Sequence, residues 1–295
     1  MILARCGFRG TVILAAAVLL ALAAQPVAAQ TGEVDPPTGG DAEPTGEPDR
    51  FNRFASKLSP DEPLYILVGW NEGTNAKFQL SFKYRFVNPD PEALPVAAPF
   101  FSRIFFGYTQ TSLWDLAAES EPFYDTSYRP SLFYRHERLA GWGNGSGWLW
   151  GQVGLEHESN GQGGTDSRSL DILYVQPVLE LANAIGSAHL TVAPRVWVYL
   201  GNLDENPDIA EYRGYGQLRV AVTGRSEWQI AATGRLGTSG KGAVQVDVTY
   251  PLDRLLRAGV NTYLHLQYFD GWGESLLSYD QRLPWQVRLG IAVVR

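Results

Sequence analysis

The sequence is almost without cysteine. Of its 295 residues only one is a cysteine, Cys6, and it lies in the N-terminal segment. The rest of the chain can form no internal disulfide, has no cysteine-ligated metal centre and offers no thiol nucleophile. A nucleophile in this chain would have to be a hydroxyl group or another side chain.

Long apolar runs and basic stripes are also missing beyond the N-terminal segment. No later run is long and apolar enough for a membrane-spanning helix, and no stretch has the periodicity of an amphipathic helix. Lys and Arg number 24 against 31 Asp and Glu, which gives a formal net charge of −7. These absences argue against a helical membrane protein and against nucleic acid as a partner.

The N-terminal segment Met1–Ala29 has the pattern of a secretory signal peptide. Arg5 and Arg9 precede the apolar stretch Val12–Ala24, and small residues at Val27–Ala29 provide a cleavage site. We therefore expect the protein to be exported.

The segment at 30–60 is predicted to be a disordered acidic tether. Its first part, Gln30–Asp49, is rich in Gly, Pro, Asp and Glu and has almost no large apolar residue. Such a composition cannot bury a hydrophobic core. Residues 61–295 are then left as the single folded domain.

Within 61–295, segments of about ten residues alternate between apolar and polar side chains and are separated by turn residues. The long strands, the aromatic residues near strand ends and the charges on the polar faces favour an outer-membrane barrel over a soluble sandwich. The fold class predicted is all-β, a twelve-stranded antiparallel transmembrane β-barrel in the bacterial outer membrane. Its strands are predicted at 64–70, 77–87, 100–109, 129–139, 147–158, 169–182, 188–199, 211–223, 226–236, 242–251, 257–268 and 285–294.

Strand parity predicts which links share an end of the barrel. If the N-terminus is periplasmic, the links after odd-numbered strands are extracellular. The predicted links 110–128 and 159–168 then lie together at the outer rim.

The segment from Val153 to Asp171 carries the candidate chemistry. Alternation places His157 and Ser159 on the apolar face with Val153, although polar groups facing lipid are costly and tend to be functional. A hairpin closed symmetrically about Gly164 would put Asp171 directly opposite His157. A hydroxyl, an imidazole and a carboxylate on one apolar wall are the components of a nucleophile, a base and an orienting group.

Other interpretations remain open at this stage. A His-x-Ser spacing is a weak motif on its own, and Ser-Asn-Gly is common in ordinary turns. The protein could be a passive pore or structural barrel, or a barrel that acts on lipid A as a deacylase or palmitoyltransferase. Asp204, Asn206 and Asp208 alternate in a loop but lack the Gly and Glu of an EF-hand, so we interpret them as a solvated turn.

Several motifs together carry a resemblance to a known family. The chain resembles bacterial outer membrane phospholipase A at His157-x-Ser159-Asn160-Gly161, at Thr165-x-Ser167-Arg168-Ser169, and at Tyr108-Thr109-Gln110-x-Ser112-Leu113-Trp114. This resemblance covers most of the predicted barrel. It implies calcium-dependent hydrolysis of acyl esters in phospholipids and lysophospholipids, by an enzyme that is activated when it forms a homodimer in the outer membrane.

The resemblance also assigns roles. Ser159 matches the nucleophile and His157 the general base, while Asp171 stands where the family usually has Asn. The calcium (Ca2+) ligands matched are the Gln162 carbonyl, the Ser167 hydroxyl and, from the other subunit, the Ser120 hydroxyl. Gln110 matches a polar residue of the family's membrane-embedded dimer interface.

Overall fold

Alternating apolar and polar residues fold into strands throughout the computed structural model, which describes residues 54–71, 74–87, 98–120, 123–256 and 261–295. The predicted signal peptide and the predicted tether up to residue 53 lie outside the described residues. The strands are β1 Leu58–Ser59, β2 Leu64–Trp70, β3 Thr74–Arg85, β4 Ile104–Asp115, β5 Phe123–Trp142, β6 Gly147–Ser159, β7 Ser169–Ile185, β8 Ala188–Leu200, β9 Gly216–Thr223, β10 Gln229–Leu236, β11 Gly242–Pro251, β12 Tyr263–Trp272 and β13 Arg282–Val294.

The strands close into a ring. Each of β2 to β13 pairs antiparallel with its neighbours along the chain, and β13 returns to pair with β2. The two-residue strand β1 attaches to β3 alone, which leaves twelve strands in the barrel. Closure leaves no unpaired strand edge, as a sheet in hydrocarbon requires. The predicted fold class is confirmed.

The apolar face of the barrel points outward. On β6, Val153 and Leu155 are exposed while Glu158 is buried, and on β7 Leu173 and Val175 are exposed while Tyr174 is buried. A soluble sheet would bury the aliphatic residues instead. This inside-out pattern is typical of a barrel surrounded by lipid.

The helices are short connectors. Those with bounds among the described residues are α1 Ala98–Phe101, α2 Ile209–Arg213 and α3 Leu252–Leu256. No helix among the described residues has both the length and the apolar content to cross a membrane.

Most strand bounds differ from the prediction by a few residues, and the shifts in β4, β5 and β9 affect the links near the candidate site. The strands predicted at 100–109 and 129–139 are β4 and β5, whose ladder continues to the pairs Leu113–Asp125 and Trp114–Phe123. Polar residues on the lipid side of β4 interrupt the apolar pattern, so the sequence did not predict this continuation of the strand. The predicted link 110–128 therefore shortens to 116–122, which keeps Ser120 in the link but places Gln110 within β4.

The strand predicted at 211–223 begins only at Gly216, because α2 occupies its first residues. Ile209 and Tyr212 of α2 are buried against aromatic and aliphatic side chains inside the barrel. Gly214 ends the helix with a φ of 64°, a conformation that favours glycine. A helix of five residues is too short to have a readable periodicity.

The lumen is filled mostly by charged pairs. Examples are Arg129 with Glu62, Arg195 with Glu156, Arg213 with Glu158, and Lys77 and Arg288 with Glu274. Glu274 belongs to the link 273–281, which folds into the barrel. Burial acts to raise the pKa of Glu274, but the charges of Lys77 and Arg288 outweigh it and bring the pKa to about 2. The pairs satisfy charges that would otherwise be costly to bury.

One end of the barrel carries the longer loops around the candidate site, and we call it the upper end. Leu276 and Tyr279 from the link 273–281 pack there with Ile209 and Tyr212, in the buried cluster that also includes Ile172 of β7. The upper end is defined by the links 116–122, 160–168, 201–215, 237–241 and 273–281.

Candidate active site

The hairpin of β6 and β7 fixes the register of the candidate site. His157 lies directly opposite Asp171, as the symmetric hairpin predicts, and Ser159 lies opposite Ser169. All of these residues are on the outer wall of the barrel at its upper end. Residues between them on the strands, such as Glu158 and Leu170, point into the lumen and are buried.

A hydrogen bond joins His157 to Asp171. His157 Nδ1 and Asp171 Oδ1 are 2.9 Å apart. Because a carboxylate oxygen can only accept, the bond requires a hydrogen on Nδ1, and the lone pair of the neutral ring is then on Nε2. Nε2 is the atom that a general base would use to take a proton.

Ser159 is two residues beyond His157 on the same face. Its hydroxyl makes no hydrogen bond to another described residue, whereas its backbone is held on both sides, opposite Tyr128 of β5 and Ser169 of β7. The strand therefore fixes the position of Ser159 while its hydroxyl group stays available to His157 or to a substrate.

Asn160 organises the turn that follows. It is 4% exposed, and its side-chain oxygen accepts hydrogen bonds from the backbone N–H groups of Gln162 and Arg168 at 3.2 and 3.1 Å. Its side-chain amide donates to the Asp166 carbonyl at 2.8 Å. Gly161, with a φ of 67°, starts the reversal in a conformation that favours glycine. One buried side chain thus fixes the loop that contains the predicted calcium ligands Gln162 and Ser167.

Glu205 stands beside this loop. Its carboxylate accepts hydrogen bonds from the Ser167 hydroxyl at 2.7 Å and from the Ser169 hydroxyl at 2.8 Å. These two bonds lower the pKa of Glu205, which is therefore negatively charged at neutral pH. The structure thus places an anionic group next to the predicted ligand Ser167.

Ser120 lies apart from the other candidate residues. It is exposed in the link 116–122, with a φ of 73° that is uncommon for a residue other than glycine. Within the described residues there is also no cluster of three or more His, Cys, Asp or Glu residues that could hold a metal. A cation at this loop would depend on hydroxyl and carbonyl oxygens, which are normal ligands for calcium.

A lipid-side groove of about 440 Å³ adjoins the hydrogen-bonded pair. His157 and Asp171 line it together with the apolar side chains of Phe106, Leu132, Leu155 and Leu200. These four apolar side chains are all exposed on the outer wall. The groove can accommodate an apolar chain beside a base.

The link 201–215 has contacts that its sequence pattern does not predict. The interpretation of 204–208 as a solvated turn is wrong for Asn206, which is fully buried and donates to the Ser169 carbonyl at 2.7 Å. Asp208 accepts a hydrogen bond of 2.5 Å from the Tyr279 hydroxyl. The only signal in the sequence was the dense run of Asn and Asp, which resembles any polar turn.

Comparison with known proteins identifies the family of the chain. A family model described as phospholipase A1 matches residues 54–294. A phospholipase A1 of Salmonella typhimurium is 32% identical over 234 residues, which cover 76% of this chain and 72% of that protein. Outer membrane phospholipase A from Escherichia coli is similar in structure, with a TM-score of 0.66, 26% identity and coverage of 81% of this chain and 98% of that chain. A crystal structure of the Salmonella typhi outer membrane phospholipase, a dimer with bound calcium, has a TM-score of 0.67 and 26% identity, and covers 81% of this chain and 92% of that one.

These similarities decide between the alternatives left open by the sequence. The matched family and its curated relatives are phospholipases, so the chain is an enzyme of that class and not a passive pore. Its twelve-stranded barrel and its structural neighbours place it in the bacterial outer membrane. The family model spans far more than half of the sequence, and the chain belongs to the phospholipase A1 family.

Proposed function

We propose that this protein is a calcium-dependent phospholipase that uses Ser159, His157 and Asp171 to hydrolyse acyl esters of phospholipids and lysophospholipids. The observation that carries the proposal is the 2.9 Å hydrogen bond between His157 and Asp171 on the lipid-facing wall. Structural needs do not explain such a pair there, because polar groups facing hydrocarbon are costly. We infer that the upper end faces the cell exterior, so that the site meets the outer leaflet.

In the proposed reaction each of the three side chains has one role. His157 Nε2 takes the proton of the Ser159 hydroxyl, whose oxygen attacks the carbonyl carbon of the ester. The tetrahedral intermediate collapses, the alcohol leaves with the proton from His157, and the acyl group stays on Ser159. Water then attacks this acyl ester with His157 again as base, and the fatty acid leaves. Asp171 keeps the imidazole oriented and stabilises its protonated form.

The loop 160–168 suits a calcium ion. We propose that the Gln162 carbonyl and the Ser167 hydroxyl bind it, and that the nearby Glu205 carboxylate adds negative charge. Calcium prefers oxygen ligands and accepts several waters, so two or three protein oxygens are enough. When bound, the cation would supply positive charge that stabilises the oxyanion of the ester intermediate.

We further propose that the active enzyme is a homodimer in which Ser120 completes the calcium site of the opposite subunit. A polar ladder on the lipid face of β4 and β5 supports this proposal. Gln110 Nε2 lies 3.3 Å from Ser112 Oγ, and Thr126 Oγ1 is 3.0 Å from the same hydroxyl. Polar side chains on a wall that faces hydrocarbon favour association with a second chain. The similar Salmonella typhi protein is a dimer with bound calcium.

Release of fatty acid by the purified protein in detergent micelles tests the proposal. We expect hydrolysis of a phospholipid and of its lyso derivative with calcium, loss of activity with a chelator, and recovery when excess calcium is added. The shift in gel mobility on heating, which reports a folded barrel, should be the same with calcium and with chelator. The fold should not depend on calcium, because the barrel is closed by its backbone ladder. Equal rates with calcium and with chelator would contradict the metal requirement.

Substitutions at Asp171 distinguish its role in orienting His157 from the effect of its negative charge. Asp171→Asn should retain much of the activity, because an amide oxygen can still accept from His157 Nδ1, whereas Asp171→Ala should lose far more. Initial rates of both variants, compared at saturating calcium, check this expectation. Equal rates for the two variants would argue against an orienting role for Asp171.

A further inference from the structure

Three arginine side chains meet in the lumen behind the catalytic hairpin. Arg195 of β8, Arg213 of α2 and Arg235 of β10 line a cavity of about 90 Å³ together with Glu156 and Glu158. Arg195 and Arg213 are each 8% exposed. The cavity lies on the opposite side of β6 from His157, so it is separate from the lipid-side groove.

The charges around this cavity do not balance. Arg195 lies 2.9 Å from Glu156, and Arg213 lies 2.9 Å from Glu158. Arg129, which also lines the cavity, is paired with Glu62 at 2.7 Å. Arg235, in contrast, has no carboxylate of the described residues within ion-pair distance. One positive charge is left without a partner.

Titration cannot remove this charge, because a guanidinium group stays protonated in proteins. The neighbouring Arg213 adds to the excess of positive charge at Arg235. Arg213 and Arg235 donate to the same acceptor, the carbonyl oxygen of Gly273, so two like charges are held side by side. An uncompensated charge in such surroundings is costly, and like charges at short range repel.

The same three arginines also have unused hydrogen-bond donors. The Nε groups of Arg195, Arg213 and Arg235 are all buried and have no hydrogen-bond partner among the described residues. Arg195 Nη2 is close to Glu156 but does not have the angle of a hydrogen bond to it. Buried donors are normally satisfied. The region therefore combines surplus positive charge with several unmade hydrogen bonds.

We propose that this cavity is a binding site for one small inorganic anion, of the size of chloride or phosphate. Such an anion would neutralise the surplus charge of Arg235 and accept hydrogen bonds from the three arginines. A water molecule fills about 30 Å³ in the liquid, so the cavity has room for an ion of this size. A bound anion would join β8, α2 and β10 behind the strand that carries His157 and Ser159.

Thermal unfolding of the purified protein in detergent micelles tests this site without any measurement of activity. Unfolding is followed at constant pH and ionic strength in sodium gluconate, whose anion is too bulky for the cavity, with chloride or phosphate replacing it stepwise. The unfolding temperature should rise by roughly 5 °C and then saturate, as for a ligand that binds only the folded state. The anion that saturates at the lower concentration is the one the site prefers.

Two variants make the test specific. Arg235→Gln should unfold at a higher temperature than the wild type in gluconate, and should no longer respond to chloride or phosphate. The matched control is Arg219→Gln, because Arg219 is also a lumen arginine but already lies 3.9 Å from Asp247. The control should keep the full response to the anion.

A bromide soak of wild-type crystals gives an independent answer, because bromide replaces chloride and is visible by anomalous scattering. An anomalous peak among the three guanidinium groups would support the site. Equal unfolding temperatures of the wild type in all salts, or a full response in Arg235→Gln, would each overturn it. No bromide peak would also overturn it if chloride raises the unfolding temperature.

Discussion

Ser159→Ala and His157→Ala should each abolish ester hydrolysis while the barrel still folds. Residues of a catalytic triad act as a unit, so either change should reduce the rate by roughly a million-fold, and the double variant should be little worse. Folding should survive because both side chains lie on the outer wall, where no buried contact depends on them. Release of fatty acid from a phospholipid in detergent measures the rate.

The control for these variants is Ser187→Ala, which changes a serine in the short turn between β7 and β8 at the opposite end of the barrel. It should keep the wild-type rate. Substantial activity of Ser159→Ala, in a preparation whose barrel is folded by circular dichroism, would remove the nucleophile assignment.

Mixing two inactive subunits should restore activity. One subunit carries Ser120→Ala and the other Ser159→Ala, and each alone should be weak or inactive. In a mixed dimer, the intact Ser159 of the first subunit is completed by the intact Ser120 of the second. With one working site of two, the mixed dimer should reach about half of the wild-type rate in a symmetric assembly.

Two differently tagged subunits allow the mixed dimer to be purified and assayed directly. Calcium should also raise the affinity of dimerisation, and dimerisation should raise the affinity for calcium. The two factors should be equal because the two equilibria are linked. Mixed dimers that form but remain inactive would show that Ser120 does not act across the interface.

The sequence predicted the hairpin of β6 and β7 well because its interactions are local. Alternation gives the faces of β6 and β7, and the glycine-rich turn gives the register that places His157 opposite Asp171. Alternation also predicted β2 and β11 at their observed bounds, 64–70 and 242–251. In each of these segments one face is consistently apolar, so the period is easy to read.

The remaining features depend on contacts between distant parts of the chain. Glu205 meets Ser167 only because the link 201–215 folds over the hairpin, and spacing along the chain does not show this. Asn160 belongs to a Ser-Asn-Gly sequence that is common in turns, although it is the buried centre of the loop 160–168. The strand β4 was placed too early because Gln110 and Ser112 interrupt the apolar pattern on its lipid face.

The register of the hairpin of β6 and β7 also has a consequence for biogenesis. His157 and Asp171 are only 14 residues apart, so their pairing needs a short chain closure. Closure of the ring needs β2 and β13 to meet from opposite ends of the barrel sequence, as in the pair Val68–Leu289. Non-local pairings of this kind form slowly. We expect His157 and Asp171 to pair early and the barrel to close last. Because only the closed barrel presents the pair to lipid, hydrolytic activity should arise only once insertion is complete.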